Sequence, residues 1–211
     1  VLDKKEKQAV LDAVCDTNNG RIPIVFGIGG NNTSNVINDL KTFKLSKVDG
    51  ILSASPYYNK PTQEGIYAHY AAMASATDLP IILYNVPGRT ASNIAVDTTL
   101  KLATEFDNIV AIKEASGSME QIMDIILQNP EDFLVISGDD ALTLPILSAG
   151  GDGVISVVGN AFPHAFKDVV KNGLDGDFDS ARRSHYAILP IILHLFAEGN
   201  PAGIKESLAD L

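Results

Sequence analysis

Lys113 closes a run of apolar residues, Ile109-Val110-Ala111-Ile112, and a lysine in that setting can do carbonyl chemistry. Held inward, its ammonium loses hydration and its pKa falls, and the neutral amine is a nucleophile for carbonyl carbons. The competing reading is a solvated lysine at a strand end, paired with the adjacent Glu114. Tyr84 ends another apolar run, beside Asn85. A buried phenol there could move a proton while an imine forms and breaks, or it could be a core aromatic. Arg89 follows in a Pro-Gly turn, where a guanidinium suits bidentate capture of a carboxylate; an ordinary surface arginine is the alternative.

Other patterns are weaker. Gly27-Ile28-Gly29-Gly30 invites a dinucleotide-binding reading, but the pattern needs glycine where Asn32 stands, so Asn31 and Thr33 are expected to cap the following helix instead. His69, His164, His185 and His194 are scattered, and none pairs with a carboxylate at a strand end, so no metal is expected. Asp139 and Asp140 are expected to cap a helix rather than bind a cation.

Two periods alternate along the chain and must position these groups. Short Val- and Ile-rich runs read as strands buried on both faces: Ile22–Ile28, Gly50–Ala54, Pro80–Asn85, Ile109–Lys113, Phe133–Ser137 and Gly153–Val157. Between them, apolar residues recur at helical spacing: Val10, Leu11 and Val14; Ile66, Tyr70 and Met73; Ile122, Ile125 and Ile126. Asp139 to Leu147 is a further candidate helix, and from about Pro163 to Leu211 the pattern is helical only. Such alternation implies a parallel sheet with right-handed crossovers, either doubly wound or a (β/α)8 barrel. Every polar cluster falls at the C-terminal end of a strand, the edge where both folds bind ligands.

Composition bounds the rest. A chain of 211 residues, 45% hydrophobic, can bury one core. A net charge of -10 argues against nucleic acid or an anionic membrane as partner. The single cysteine, Cys15, precludes an intrachain disulfide and suits a reducing, cytoplasmic setting. The first ten residues carry no leader signature, and the apolar stretch Ala187–Ala197 is too short to span a bilayer.

Four segments together resemble the dihydrodipicolinate synthase family: Ser-Pro-Tyr-Tyr-Asn-Lys-Pro-Thr-Gln-Glu-Gly (55–65), Leu-Tyr-Asn-Val-Pro-Gly-Arg-Thr (83–90), Ile-Lys-Glu-Ala-Ser-Gly (112–117) and Ser-Gly-Asp-Asp (137–140). The resemblance implies an α/β fold of the (β/α)8 barrel type, with residues 1–160 as a partial barrel and 161–211 as a C-terminal helical segment of the same domain. It implies condensation of pyruvate with L-aspartate semialdehyde, through a lysine imine and without metal or organic cofactor, in lysine and diaminopimelate biosynthesis. By that resemblance Lys113 forms the imine, Tyr84 relays protons, and Tyr58 completes the relay of a neighbouring subunit, which implies a homodimer or homotetramer. Arg89 holds the semialdehyde carboxylate, and Gly138 and Ile155 line the pocket with backbone. Asn31 and Tyr57 match a lysine-effector site, although Asn35 stands where a glutamate contributes to it in relatives.

Relatives carry two strands and a Thr-Thr-Gly-Glu segment before the point matching Val1, and further C-terminal helix. The chain is therefore expected to be a piece holding about six of eight strands, with exposed sheet edges unless another chain covers them. The alternatives are a sibling pyruvate-dependent lyase, such as N-acetylneuraminate lyase or a sugar-acid aldolase, and a non-catalytic fragment. Siblings share the lysine and tyrosine, but Arg89 and Gly138-Asp139-Asp140 fit the synthase pattern.

Overall fold

The computed structural model describes residues 2–211. Its six strands follow one another in chain order within the sheet. By packing, the chain forms two compact units, the first running to Ile112 with Pro130–Phe133, the second comprising Lys113–Asn129 and Leu134–Leu211.

The first unit contains α1 (Lys4–Asn18), β1 (Val25–Gly27), α2 (Thr33–Thr42), β2 (Gly50–Ala54), α3 (Gln63–Ala74), β3 (Ile81–Asn85), the short α4 (Pro87–Thr90), α5 (Val96–Glu105) and the start of β4 (Ile109–Glu114). β1 pairs with β2, and β2 with β3, in parallel. The apolar runs of β2, β3 and β4 are almost wholly buried, as expected of strands covered on both faces. Ile66, Tyr70 and Met73 of α3 are fully buried, and the Tyr70 hydroxyl donates to the Ser53 carbonyl at 2.8 Å, which satisfies its polar end. Truncating such a side chain to alanine costs about 2–5 kcal/mol.

Expectations for β1, α1 and α2 need correction here. The first strand is three residues long rather than seven, because side chains take the backbone groups on its N-terminal side. Asn18 brackets Ile22 through both its N–H and its carbonyl, and Asp49 accepts from the Ile24 N–H at 2.7 Å. β1 is also not buried on both faces: Val25 is 46% exposed, at the start of the strand order. In α1 only Leu11 and Cys15 of the apolar positions are buried, while Val10 and Val14 are exposed and lie beside Ile22 and Val25. The cap of α2 is Asn32, not Asn31 or Thr33; its side chain accepts from the Asn35 N–H at 3.2 Å.

The second unit contains the end of β4, then α6 (Met119–Gln128), β5 (Leu134–Ser137), α7 (Thr143–Ser148), β6 (Gly153–Val154), a 3-10 turn (Val158–Asn160), α8 (Pro163–Leu174), α9 (Phe178–Phe196) and α10 (Ala202–Ala209). β5 and β6 pair in parallel. The C-terminal helices pack Phe166, Val169, Ile188, Ile192, Leu195 and Ile204 around Val158. The helix expected from Asp139 begins at Thr143, since Asp139 builds a turn first, its carboxylate accepting from the N–H groups of Ala141 and Leu142. β6 is cut to two residues because Asp140 draws the following backbone away. Among the described residues no helix is long and apolar enough to cross a membrane.

Candidate active site

Strand polarity brings the reactive residues to the C-terminal ends of the strands within each unit. In the second unit Lys113 is the penultimate residue of β4 and only 8% exposed, which excludes a solvated surface lysine. Glu114 projects to the other face by strand alternation and is fully buried. Its carboxylate accepts from the Ser116 N–H at 2.8 Å and the Gln121 amide at 3.0 Å, fixing the turn into α6. Gly138 follows β5, and its N–H donates to the Glu114 carbonyl at 2.7 Å. The Gly138 Cα lies against the Lys113 side chain so closely that a β-carbon would sit 3.0 Å from Cε and 3.1 Å from Cγ. Ile155 is half-buried past the end of β6 and donates its N–H to the Ser137 carbonyl at 3.0 Å. Lys113 is thus held with its side chain packed against the Gly138 backbone.

In the first unit Tyr84 is half-buried near the end of β3. Burial raises its phenol pKa, and the Arg89 guanidinium nearby partly offsets that rise. Arg89 itself is exposed on α4, whose start is set by Pro87. The structure therefore brings a protonated phenol and a permanent cation to one strand end.

Tyr57 and Tyr58 stand on the loop after β2, and Tyr58 is 88% exposed. Tyr58 has φ 73, an uncommon conformation for a bulky residue, held there by its N–H bond to the Thr90 carbonyl at 3.4 Å. Asn31 is exposed, and the Asn59 amide bonds its carbonyl at 3.4 Å, which joins that position to the Tyr57 loop.

Two features have partners that local sequence did not indicate. Asp140 is 2% exposed and accepts from the N–H groups of Val157 and Val158, pinning the segment after Ile155. The expected capping of the following helix does not occur, since α7 starts after Leu142 with no side-chain cap; the partners of Asp140 lie seventeen and eighteen residues away, a distance no local signal announces. The second is a carboxamide network around Asn85, Asn93 and Gln63 that closes the Arg89 loop. Asn85 at a strand end was the available signal. A cavity of about 630 Å³ opens elsewhere, at the N-terminal ends of β1 and β2, among Asp16, Arg21, Lys47 and Asp49. It touches none of Lys113, Tyr84, Arg89, Tyr58, Gly138 or Ile155. Among the described residues no three His, Cys, Asp or Glu side chains are grouped to hold a metal ion.

The sequence model of the dihydrodipicolinate synthetase family matches residues 1–211. The 4-hydroxy-tetrahydrodipicolinate synthase of Flavobacterium psychrophilum is 52% identical over 210 residues, which cover 100% of this chain and 72% of the relative. The structure of that synthase from Methylacidiphilum fumariolicum SolV superposes with a TM-score of 0.97 at 41% identity, over 100% of this chain and 70% of that one. A chloride-inhibited dihydrodipicolinate synthase from Acinetobacter baumannii, complexed with pyruvate, superposes with a TM-score of 0.95 at 39% identity, over 100% and 72% respectively. The fold is therefore that of the (β/α)8 barrel synthases, with six strands in this chain, and the doubly wound alternative is overturned.

Proposed function

This chain belongs to the dihydrodipicolinate synthetase family, and from that premise we propose that it condenses pyruvate with L-aspartate semialdehyde to give 4-hydroxy-tetrahydrodipicolinate, in lysine and diaminopimelate biosynthesis. The observation that carries the reading to residues is Lys113, buried near the end of β4 with its side chain packed closely against the Gly138 backbone.

In the proposed reaction Lys113 Nζ attacks the ketone carbon of pyruvate and the carbinolamine loses water. Tyr84 supplies the proton for the departing hydroxyl, because burial keeps its phenol protonated at neutral pH. The protonated imine accepts an electron pair as a methyl proton leaves, and an enamine results. The enamine carbon bonds to the aldehyde carbon of the semialdehyde, whose oxygen takes up a proton. Arg89 holds that substrate by its carboxylate. The substrate amine then closes onto the imine carbon and expels Lys113 as a free amine. Gly138 and Ile155 contribute backbone to the pocket, and the covalent imine stands in for metal or cofactor.

Tyr58 is so exposed that its phenol is free to serve a neighbouring copy, which supports a homodimer or homotetramer. Asn31 and Tyr57 match the positions of a lysine-effector site, with Asn35 where relatives place a glutamate. The lone buried cysteine fits a reducing, cytoplasmic setting. Consumption of aspartate semialdehyde that requires pyruvate tests the assignment. Cleavage of N-acetylneuraminate or a sugar acid instead would move the chain to a sibling lyase.

A further inference from the structure

The segment from Asn85 to Ala95 leaves β3, carries Arg89 on a short helix, and enters α5. Four residues of α4 cannot hold themselves in place. What holds them is a set of side-chain bonds that join the two ends of the loop. The Asn85 carboxamide oxygen accepts from the Ile94 N–H at 3.0 Å, and its amide donates to Asn93 Oδ1 at 2.8 Å. Gln63, at the start of α3, continues the tie. Its amide donates to the Asn93 carbonyl at 2.8 Å, while its oxygen accepts from the Ala95 N–H at 3.0 Å and the Thr98 hydroxyl at 2.7 Å. Asn85 and Ile94 are both fully buried.

Asn85 follows Tyr84 directly, so its side chain leaves the opposite face of the strand and faces no substrate. Its carboxamide orientation is fixed, because the group facing a backbone N–H must be the oxygen. We propose that Asn85 is the positioning residue for Arg89: its carboxamide closes the 86–93 loop into a ring and thereby sets where the guanidinium meets the second substrate. This rests on the assignment of Arg89 to the semialdehyde carboxylate. It goes further in naming what makes the arginine selective, since guanidinium recognition of a carboxylate depends on a fixed fork geometry. An arginine on a loose loop would keep its charge and lose its aim.

Three variants test it. Asn85→Leu removes both bonds; Asn85→Asp keeps the acceptor for Ile94 and loses the donor to Asn93; Asn93→Ala removes only the exposed partner and leaves the core intact. The expected result for Asn85→Leu is a KM for aspartate semialdehyde raised roughly ten- to a hundredfold. The KM for pyruvate and the rate of borohydride trapping on Lys113 stay within about twofold. Asn85→Asp and Asn93→Ala fall between, and deuterium uptake across 86–95 rises in the same order. An unchanged semialdehyde KM with faster exchange would overturn the proposal. So would a proportional fall of pyruvate trapping, both KM effects and melting temperature in Asn93→Ala, which marks a scaffold role. If the wild-type chain formed no pyruvate adduct, the assigned activity would fail. Exchange rates would then decide separately, and equal uptake in Asn85→Leu and wild type would overturn the tie itself.

Discussion

Gly138 and Lys113 share a space that has no room for one more carbon. A β-carbon on residue 138 would stand 2.8 Å from the Ala115 β-carbon as well as 3.0 Å from Lys113 Cε. The Gly138 N–H is bonded to the Glu114 carbonyl, so the backbone cannot withdraw. Gly138→Ala therefore pushes the lysine side chain, and overpacking of this kind costs about 1–3 kcal/mol of stability. The larger effect is on chemistry: displacing the amine slows imine formation by roughly a hundredfold. Trapping rates with pyruvate, measured beside the melting temperature, check both. A variant that traps pyruvate as fast as the wild type would show that the close fit has no role in aiming the amine.

Asp140 takes the N–H groups of Val157 and Val158 at 3.0 and 2.8 Å, while its other oxygen has no protein partner. Asp140→Ala strands two donors beneath the segment that carries Ile155 and lowers stability by about 2–4 kcal/mol. Asp140→Asn, which can turn its oxygen to the same donors, loses less. Denaturant unfolding of the two variants gives the order, and equal losses would contradict it.

His69 is buried, receives a bond between Nδ1 and the Thr33 hydroxyl at 2.8 Å, and has no partner at Nε2. Burial pushes its pKa down to about 4. The unfolded chain protonates this group near pH 6.5, so between roughly 6.5 and 4 the unfolded state binds a proton that the folded state refuses. Stability is then full above the upper value and falls as pH drops, by up to about 3 kcal/mol at the lower one. His185, also shifted down by burial, acts in the same direction. His69→Gln should flatten the stability loss between pH 7 and 4.5; a slope equal to that of the wild type would contradict the account.

Tyr58 contributes nothing to its own unit's core at 88% exposure, so Tyr58→Phe should leave the unfolding midpoint unmoved while turnover falls about tenfold or more. Each chain would supply the phenol to its neighbour. A Tyr58→Phe chain mixed with a Lys113→Ala chain should then show more activity than the two chains give separately. No recovery on mixing and reassociation would place the Tyr58 phenol outside the neighbour's site.

Strand positions were legible because runs such as Ile109–Ile112 are apolar throughout, a pattern that suits a strand buried on both faces. Ile22–Ile28 misled for the same reason. Its residues are equally apolar, but Asn18 and Asp49 claim the backbone groups that a longer ladder would use. Local spacing located Lys113 and Tyr84 at strand ends and Arg89 in the turn that follows one, and could not separate a buried nucleophile from a surface lysine. That choice depends on Gly138, twenty-five residues further on, packing against the side chain. Asp140 and Asn85 were visible as polar residues at strand ends, yet their partners are set by tertiary folding. No periodicity encodes a bond from residue 140 to residue 158.

Imine formation between Lys113 and pyruvate is the step from which the rest of the proposed reaction proceeds. Borohydride reduction in the presence of pyruvate, followed by peptide mass mapping, tests it most directly. The expected result is one reduced adduct, on the peptide containing Lys113, absent in Lys113→Ala and slowed in Gly138→Ala. Absence of an adduct, or its appearance on another lysine, would contradict the catalytic role assigned to this residue.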